Sequence, residues 1–386
     1  MYIQKNLFFF VNKLSPFIFS LITLLYFFDS PIGYFHDHYY LNYEYEFTKR
    51  GLIGHIFYLS DYNFIFIKSL YLLSCLTLVL VICNSNFFNS SRKEISINDL
   101  LLKLFFTSTP SITFFYHYTL TLDLYLFVLS LFSIIFLRNF GIIISSLSIF
   151  IFGVLGILIH ELYASYYFLI LIILFMFKFQ KFKKINFYVS TIIFFFIVIF
   201  FILIFIFGPI SIENKIKMLN NNYFIDKNFI ELIFYNTISE FKLFFNFNRD
   251  QIIDFIINIL FFVPSLIILI TLFYNFKKTI LFNNKIFFLL ILLFIFSPIC
   301  NLIVVPSPDL SRFIFTCINN LIICCIFFSN KTDQNFITLK NNNLFSTMLI
   351  IVIPVNIMIG YSNLGNSPEY YYNIIEMRDW IKLPKL

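Results

Sequence analysis

Residues 141–178 read GIIISSLSIFIFGVLGILIHELYASYYFLILIILFMFK, two apolar runs that meet at the dipeptide His160–Glu161. The runs, 141–159 and 162–178, approach the roughly 20 residues that an α-helix needs to cross the hydrocarbon core of a bilayer. The stretch therefore predicts two membrane-spanning helices with an ionisable pair between them.

The rest of the chain has the same character. Of its 386 residues, 60% are hydrophobic and only 12% are charged, and the mean hydropathy is +0.87. This composition excludes a soluble globular domain. We predict an all-α, polytopic integral membrane protein that forms a single integral membrane domain over 1–386. The eleven predicted spans are 8–28, 63–83, 99–116, 121–138, 141–159, 162–178, 187–208, 252–274, 286–305, 312–328 and 344–361. Lys103 and Pro110 interrupt the third span.

Basic residues near the span ends predict the orientation. Cytoplasmic connections carry an excess of Lys and Arg, and an N-inside, C-outside arrangement puts most of the basic clusters on the inner side. In this orientation, 29–62 and 209–251 are outer segments and 362–386 is an outer tail. The inner clusters comprise Lys5, Lys13, Arg92, Lys93, Arg138, Lys178, Lys181, Lys183, Lys184, Lys277, Lys278, Lys285, Lys331 and Lys340.

In this orientation, acidic residues and histidines are distributed unevenly between the inner and outer sides of the membrane. Among the acidic residues only Glu94, Asp99 and Asp333 fall on the inner side, and all five histidines fall on the outer side. We therefore predict that the chemistry lies at the periplasmic, extracellular or lumenal face. The basic residues are scattered over span ends rather than gathered in one patch, so no nucleic-acid partner is predicted.

The densest polar stretch is in the first outer segment. Residues 29–55, DSPIGYFHDHYYLNYEYEFTKRGLIGH, contain four carboxylates, of which Asp29 is a candidate and Asp37, Glu44 and Glu46 are the predicted catalytic residues. A membrane enzyme that transfers a sugar needs a carboxylate to take the proton of the attacking acceptor hydroxyl. The alternative is a hydrated loop, in which Glu46 and Arg50 pair on one helical face because they are four residues apart.

Cations and glycines follow these carboxylates. Lys49 and Arg50 stand immediately before the run 51–66, GLIGHIFYLSDYNFIF, which predicts a short amphipathic helix at the membrane interface. Because arginine binds phosphate through two parallel hydrogen bonds, the pair suits a lipid-linked phosphate or diphosphate. Anchoring to lipid headgroups is the alternative.

Three further groups of polar residues border the outer face. Asp123 begins the fourth span, where a favourable interaction with the helix dipole is the alternative to a substrate contact. His160–Glu161 interrupts an apolar run, and an ionisable pair at such depth indicates a functional or tightly paired site. Asp309 and Arg312, in the turn between the ninth and tenth spans, either pair with each other or contact a phosphate.

Metal chemistry is not indicated. The dipeptide His160–Glu161 lacks the second histidine of the HExxH zinc motif, because residue 164 is alanine. The cysteines all lie in apolar segments and show no CxxC spacing. We therefore predict no metal and no cofactor; a divalent cation is the alternative, which no motif indicates.

The order of these features resembles that of polytopic proteins from bacterial surface-polysaccharide clusters. The shared features are a basic-Arg-Gly-Leu-x-Gly run at 49–54, a mid-chain His-Glu pair and a late Asp-x-x-Arg-aromatic turn at 309–313. The chain is also similar to the GT-C class of membrane glycosyltransferases, which have an acidic first outer loop, interfacial helices and polyprenyl-phosphate-linked sugar donors. This resemblance implies Asp37, Glu44 or Glu46 as the catalytic carboxylate, Arg50 and Arg312 as phosphate contacts, and His160 and Glu161 as cavity residues.

The predicted function is that of a GT-C-like glycosyltransferase or polysaccharide polymerase in O-antigen or capsule-type glycan synthesis. Its partners would be a polyprenyl-linked sugar donor, a glycan or glycolipid acceptor and membrane lipids. The resemblance implies a bacterial inner membrane, with the active site facing the periplasm or exterior. The alternatives are a transporter or flippase of lipid-linked glycans and a non-catalytic membrane protein. A transporter is expected to have two related halves and ionisable residues near the midplane, and neither is evident in the sequence.

Overall fold

The computed structural model describes most of the predicted spans but little of the first outer segment. The described residues are 14–18, 20–21, 39, 43, 51–61, 63–84, 97–117, 121–207, 262–273, 285–298, 310–328 and 343–362. All regular secondary structure in these ranges is helical, which confirms the predicted all-α class for this part of the chain. The predicted outer segment 209–251, and the tail 362–386 beyond its first residue, lie outside these ranges.

The helices are numbered here in chain order. They are α1 (Gly51–Leu59), α2 (Phe64–Asn84), α3 (Ile97–Thr107), α4 (Pro110–His117), α5 (Leu122–Asn139), α6 (Ile142–Ile159), α7 (Leu169–Lys178), α8 (Lys183–Phe207), α9 (Phe262–Phe273), α10 (Lys285–Ile295), α11 (Leu310–Phe328) and α12 (Asn343–Ser362). A π-helical turn, Ala164–Phe168, leads directly into α7, and a 3-10 turn, Gln180–Phe182, leads into α8.

Four of these helices are long and apolar enough to cross a bilayer. Their apolar segments are Ile65–Cys83 in α2, Leu122–Asn139 in α5, Ile142–Ile159 in α6 and Lys184–Leu203 in α8. They coincide with four of the predicted spans, so the structure supports a membrane-embedded protein. Helices α9 and α11 and the segment Ala164–Lys178 are apolar but shorter. The predicted total of eleven spans is therefore not confirmed.

The predicted third span, 99–116, is divided between α3 and α4. Helix α3 ends at Thr107 and α4 begins at Pro110. Proline has no amide hydrogen, and its ring clashes with the carbonyl four residues earlier, which here belongs to Phe106. The hydroxyl of Thr109 donates to that carbonyl at 3.2 Å and so replaces the missing backbone bond. The division of this span follows from Pro110.

Helices α5 and α6 form an antiparallel hairpin whose connection is only Phe140–Gly141. Helix α5 lies at the centre of the described helices, since 67% of its span is buried. Helix α8 lies at the periphery, because only 22% of its span is buried and it exposes residues such as Phe195, Phe196 and Ile199. This apolar outer face suits contact with lipid tails.

Basic side chains meet at one end of the bundle. The ammonium of Lys178, in the last turn of α7, donates to the carbonyls of Leu137, Arg138 and Phe140 at the C-terminus of α5. A cation at this position is favourable, because the last carbonyls of a helix carry partial negative charge. Arg138 in turn donates to the carbonyl of Ile326, near the C-terminus of α11. Three helix C-termini thus share one end with Arg138 and Lys178, which agrees with the predicted placement of both on one side.

The turn after α1 contains Asp61, which has a positive φ of 55°. A residue with a side chain is strained in this left-handed region, and glycine usually occupies this position after a helix. We expect Asp61→Gly to raise the free energy of unfolding by about 0.5 kcal/mol. Thermal unfolding in detergent would measure the gain, with Asp61→Val as the matched control that should lose stability. Equal unfolding temperatures for both variants would contradict this explanation.

Candidate functional site

Three ionisable residues are buried together at the other end of the α5–α6 hairpin. Asp123 lies in the first turn of α5, and His160 and Glu161 follow the last turn of α6. Because the two helices are antiparallel, these positions share one end of the bundle, opposite Arg138 and Lys178. The exposed fractions of Asp123, His160 and Glu161 are only 7%, 2% and 8%. Ionisable groups buried to this degree in a membrane protein indicate function or tight pairing.

Asp123 is not the cap of α5. The N-cap is Thr121, whose hydroxyl accepts a hydrogen bond from the Asp123 amide at 3.4 Å. The carboxyl group of Asp123 is thereby left for other neighbours, and it interacts electrostatically with the phenols of Tyr71 and Tyr167. Its position in the first turn still agrees with the helix-dipole alternative. The structure adds two tyrosines from different helices to its surroundings.

The side chains of His160 and Glu161 contact each other. The ring nitrogen Nδ1 of His160 lies 3.3 Å from Oε2 of Glu161, and the same Nδ1 accepts a hydrogen bond from the Leu162 amide at 3.2 Å. Because Nδ1 has a single lone pair, it either accepts from the Leu162 amide or binds the proton that it shares with Oε2 of Glu161. The pair is therefore arranged to hold one proton, which is the arrangement of a general acid or base.

Two asparagines of α11 hold the π-helical turn. The amide of Asn319 donates to the hydroxyl of Tyr167, and the amide of Asn320 donates to the carbonyl of Tyr166, both at 2.9 Å. Since the Tyr167 oxygen accepts this bond, its own proton remains available to an acceptor on the side of Asp123. π-Helical turns are rare and occur frequently at functional sites.

Further tyrosines surround this region on the side of α1 and α2. The hydroxyls of Tyr39 and Tyr125 lie 3.3 Å apart, and the hydroxyl of Tyr71 donates to the carbonyl of Phe115 at 2.8 Å. Burial raises the pKa of Tyr39, and the neighbouring Tyr125 raises it further. Burial also raises the pKa of Tyr43 to about 12. The phenols of Tyr39 and Tyr43 therefore keep their protons at physiological pH.

The structure describes only some of the residues predicted to form the site. It places Asp123, at the start of α5, and His160–Glu161, after α6, at the same end of the hairpin. Arg312 lies in the first turn of α11, two turns before Asn319, so its backbone is at the same end of the bundle. The predicted residues outside the described ranges are Asp37, Glu44, Glu46, Lys49, Arg50 and Asp309. The predicted interfacial run after Arg50 forms a separate short helix, α1.

Several polar neighbours of the site were not predicted. Tyr71, Tyr167 and Asn319 carry no charge, and tyrosine is frequent in this chain, with 24 residues. One signal was available: the adjacent Asn319 and Asn320 interrupt an otherwise apolar run. Polar side chains of this kind usually bond across helices inside a membrane protein, as both do here.

The described part of the chain contains no group of three His, Cys, Asp or Glu residues that could hold a metal ion. Comparison with protein-family models, with characterised proteins and with solved structures gives no match. The residues of this site are therefore the basis on which a function can be inferred.

Proposed function

We propose that the protein is a membrane glycosyltransferase or polysaccharide polymerase that uses a polyprenyl-(di)phosphate-linked sugar donor at the outer face of a bacterial cytoplasmic membrane. Its product would be a surface glycan of the O-antigen or capsule type. The observation that carries the proposal is the burial of Asp123, His160 and Glu161 at one end of the bundle, opposite the basic end. The resemblance to the GT-C class, stated above from sequence, supplies the substrate class.

Glycosyl transfer requires a group that accepts a proton. The acceptor hydroxyl must lose its proton as it attacks the anomeric carbon, and a carboxylate or histidine within hydrogen-bonding reach can take it. This requirement is met by Asp123, which interacts electrostatically with the phenols of Tyr71 and Tyr167, and by the proton-holding pair His160–Glu161. Asp37, Glu44 and Glu46 in the first outer segment remain candidates for the same role.

The donor would bring a phosphate or diphosphate leaving group to the same end. Arg312 at the start of α11 and the pair Lys49–Arg50 just before α1 are the proposed phosphate contacts. Arginine suits this role because its planar guanidinium binds phosphate oxygens bidentately. Uncharged hydroxyls and aromatic rings such as those of Tyr167 suit the sugar, which offers hydroxyls and apolar ring faces.

Substitution of Asp123 tests the proposal directly. Purified protein in liposomes would be incubated with polyprenyl-phosphate-linked hexoses, and labelled product would be measured after extraction. We expect Asp123→Asn to lower the transfer rate by about 10²- to 10⁴-fold, because an amide cannot take a proton. Asp61→Asn is the matched control, since Asp61 is an exposed acidic residue outside the site, and it should keep the wild-type rate. Absence of transfer by the wild-type protein from any such donor would overturn the proposal.

A transporter of lipid-linked glycans is the second candidate, and the divided third span favours it. Transporters commonly build substrate or ion sites from interrupted helices near the bilayer midplane. Here α3 and α4 are separated by Ser108–Thr109, and the neighbouring α12 contains Pro354. Movement of a fluorescent lipid-linked sugar across liposomes, measured beside the transfer assay, separates the two functions. Movement without transfer would favour the transporter.

A further inference from the structure

Exposed lysines and exposed apolar residues lie together where α7 connects to α8. Residues 178–188 read KFQKFKKINFY, and four of them are lysines. The side chains of Lys181 and Lys184 are exposed. The apolar or aromatic side chains between and after them are exposed as well, with exposed fractions of 57–64%. We call this surface, which consists of Lys181, Phe182, Lys184, Ile185 and Tyr188, the α7–α8 basic surface.

The α7–α8 basic surface is directed away from the bundle. Asn186 marks the opposite face of α8, because it is buried and its amide donates to the carbonyl of Met176 in α7 at 2.8 Å. A helix turns by about 100° per residue. Lys184 and Tyr188, each two residues from Asn186, therefore lie roughly 160° from it. The same face of α8 exposes Phe195 further along the helix, so this is the side that lipid contacts.

The two lysines lie at the depth of lipid headgroups. The apolar segment of α8 is Lys184–Leu203, with 20 residues. At 1.5 Å per residue this segment is about 30 Å long, which equals the thickness of the hydrocarbon core. Lys184 therefore lies at the boundary of the core, and Lys181, in the 3-10 turn before α8, lies among the headgroups. Tyr188 is one turn inside this boundary, where tyrosine is common in membrane proteins.

The protein does not neutralise the charge of these two lysines. Lys178 differs from them, because its ammonium donates to three carbonyls at the end of α5. Lys181 and Lys184 form no hydrogen bond or ion pair with any residue in the described part of the chain. From residue 124 to residue 212 the only acidic residue is Glu161, which lies at the opposite end of the bundle. The neighbouring helices α6 and α7 thus supply no counter-ion, and the positive potential attracts an external anion.

We propose that the α7–α8 basic surface binds an anionic phospholipid such as phosphatidylglycerol. The lipid phosphate would contact the ammonium groups of Lys181 and Lys184, and the acyl chains would cover the exposed side chains of Ile185 and Tyr188. A soluble anion would leave these apolar groups in contact with water, and a zwitterionic lipid has a cation of its own that repels the lysines. Only an anionic lipid matches both the charge and the apolar area. The proposal does not depend on the proposed function.

Retention of phosphatidylglycerol is the test. The purified full chain in neutral detergent would be equilibrated with radiolabelled phosphatidylglycerol or phosphatidylcholine in mixed micelles, and the lipid bound per chain would be measured after gel filtration. We expect tighter binding of phosphatidylglycerol, with a preference that decreases as NaCl is added, because salt screens exposed charges. Lys181→Gln and Lys184→Gln should each weaken this binding about fivefold, the effect of one cation near an anionic lipid surface. Binding of phosphatidylcholine should not change.

Lys68→Gln is the matched control for these variants. Lys68 is also a lysine near the start of an apolar helix, α2, but at the end of the bundle predicted to be outer. This variant should bind phosphatidylglycerol as the wild type does, and so should Lys181→Arg, which keeps the charge. Both test lysines are exposed, so their substitution should leave the fold intact.

Four results would overturn the proposal. The wild type might bind both lipids equally, or the variant that carries both Lys181→Gln and Lys184→Gln might keep its preference for phosphatidylglycerol. Lys68→Gln might lose that preference to the same degree. Finally, inorganic phosphate might displace the lipid at equal ionic strength, which would assign the surface to a soluble anion.

Discussion

Gly156→Ala is expected to lower the free energy of unfolding by about 3 kcal/mol, at the upper end of the range for overpacked cores. An added Cβ would overlap Cγ of Tyr163 and lie 2.6 Å from both of its Cδ atoms. Rotation of the ring about χ2 leaves Cγ in place, and a change of χ1 would have to move the whole ring through a packed core. Tyr163 is also fully buried, with its hydroxyl facing Ser130 and Ser133 of α5. Relief of the clash therefore requires the backbone to move.

Gly153 provides the matched control within the same helix. A Cβ at Gly153 would approach Cδ1 of Ile197 at 2.8 Å, which is the far end of a flexible side chain. The small rearrangement is offset by the better helix propensity of alanine, a gain of roughly 0.5–1 kcal/mol. We therefore expect Gly153→Ala to be close to neutral. Thermal or denaturant unfolding in detergent would compare the two variants.

A double-mutant cycle isolates the contact between Gly156 and the Tyr163 ring. In a Tyr163→Ala background the ring is gone, so Gly156→Ala should have almost no effect on stability. Equal losses in the two backgrounds would show that the clash with Tyr163 is not the cause. Because His160 and Glu161 lie between these two residues, Gly156→Ala should also disturb the candidate site.

The positions of most described helices can be predicted from the sequence, whereas their lengths are predicted less well. Long apolar runs such as 121–138 and 141–159 predicted α5 and α6 well, because a helix in lipid must satisfy its own backbone. Pro110 was recognised as an interruption, and it does separate α3 from α4. The π-helical turn at Ala164–Phe168 was not predicted, since it depends on bonds from α11 to Tyr166 and Tyr167.

The charged residues of the candidate site can be predicted from the sequence. His160–Glu161 stood out because ionisable residues are rare in apolar runs, and the hairpin brings the pair to the end that holds Asp123. Tyr71 and Tyr167 approach Asp123 only through packing of α2, α5 and the π-helical turn. These residues are far apart in sequence, so a periodic pattern within one segment cannot predict that they lie close together.

Glu161→Gln should lower kcat by about 10²- to 10⁴-fold under the proposed function, an effect as large as that of Asp123→Asn. The substitution preserves the shape of the side chain, and the new amide can donate to Nδ1 of His160 in place of the Leu162 amide. The fold and substrate binding should therefore persist, while the proton that the pair holds is no longer transferable. A loss in kcat without a matching rise in KM, at an unchanged unfolding temperature, is the expected signature.

Two further variants establish whether His160 and Glu161 act as a unit. His160→Gln should reduce kcat about as much as Glu161→Gln, and the double variant should be little worse than either, because a second loss from one proton-holding pair removes nothing more. Asp99→Asn is the matched control: Asp99 is equally buried, but it lies in the first turn of α3, at the end of the bundle predicted to be cytoplasmic. It should retain wild-type kcat. Full activity of Glu161→Gln would leave the proton transfer to Asp123 or to the carboxylates of the first outer segment. If the loss in the double variant instead equals the product of the two single losses, His160 and Glu161 act independently.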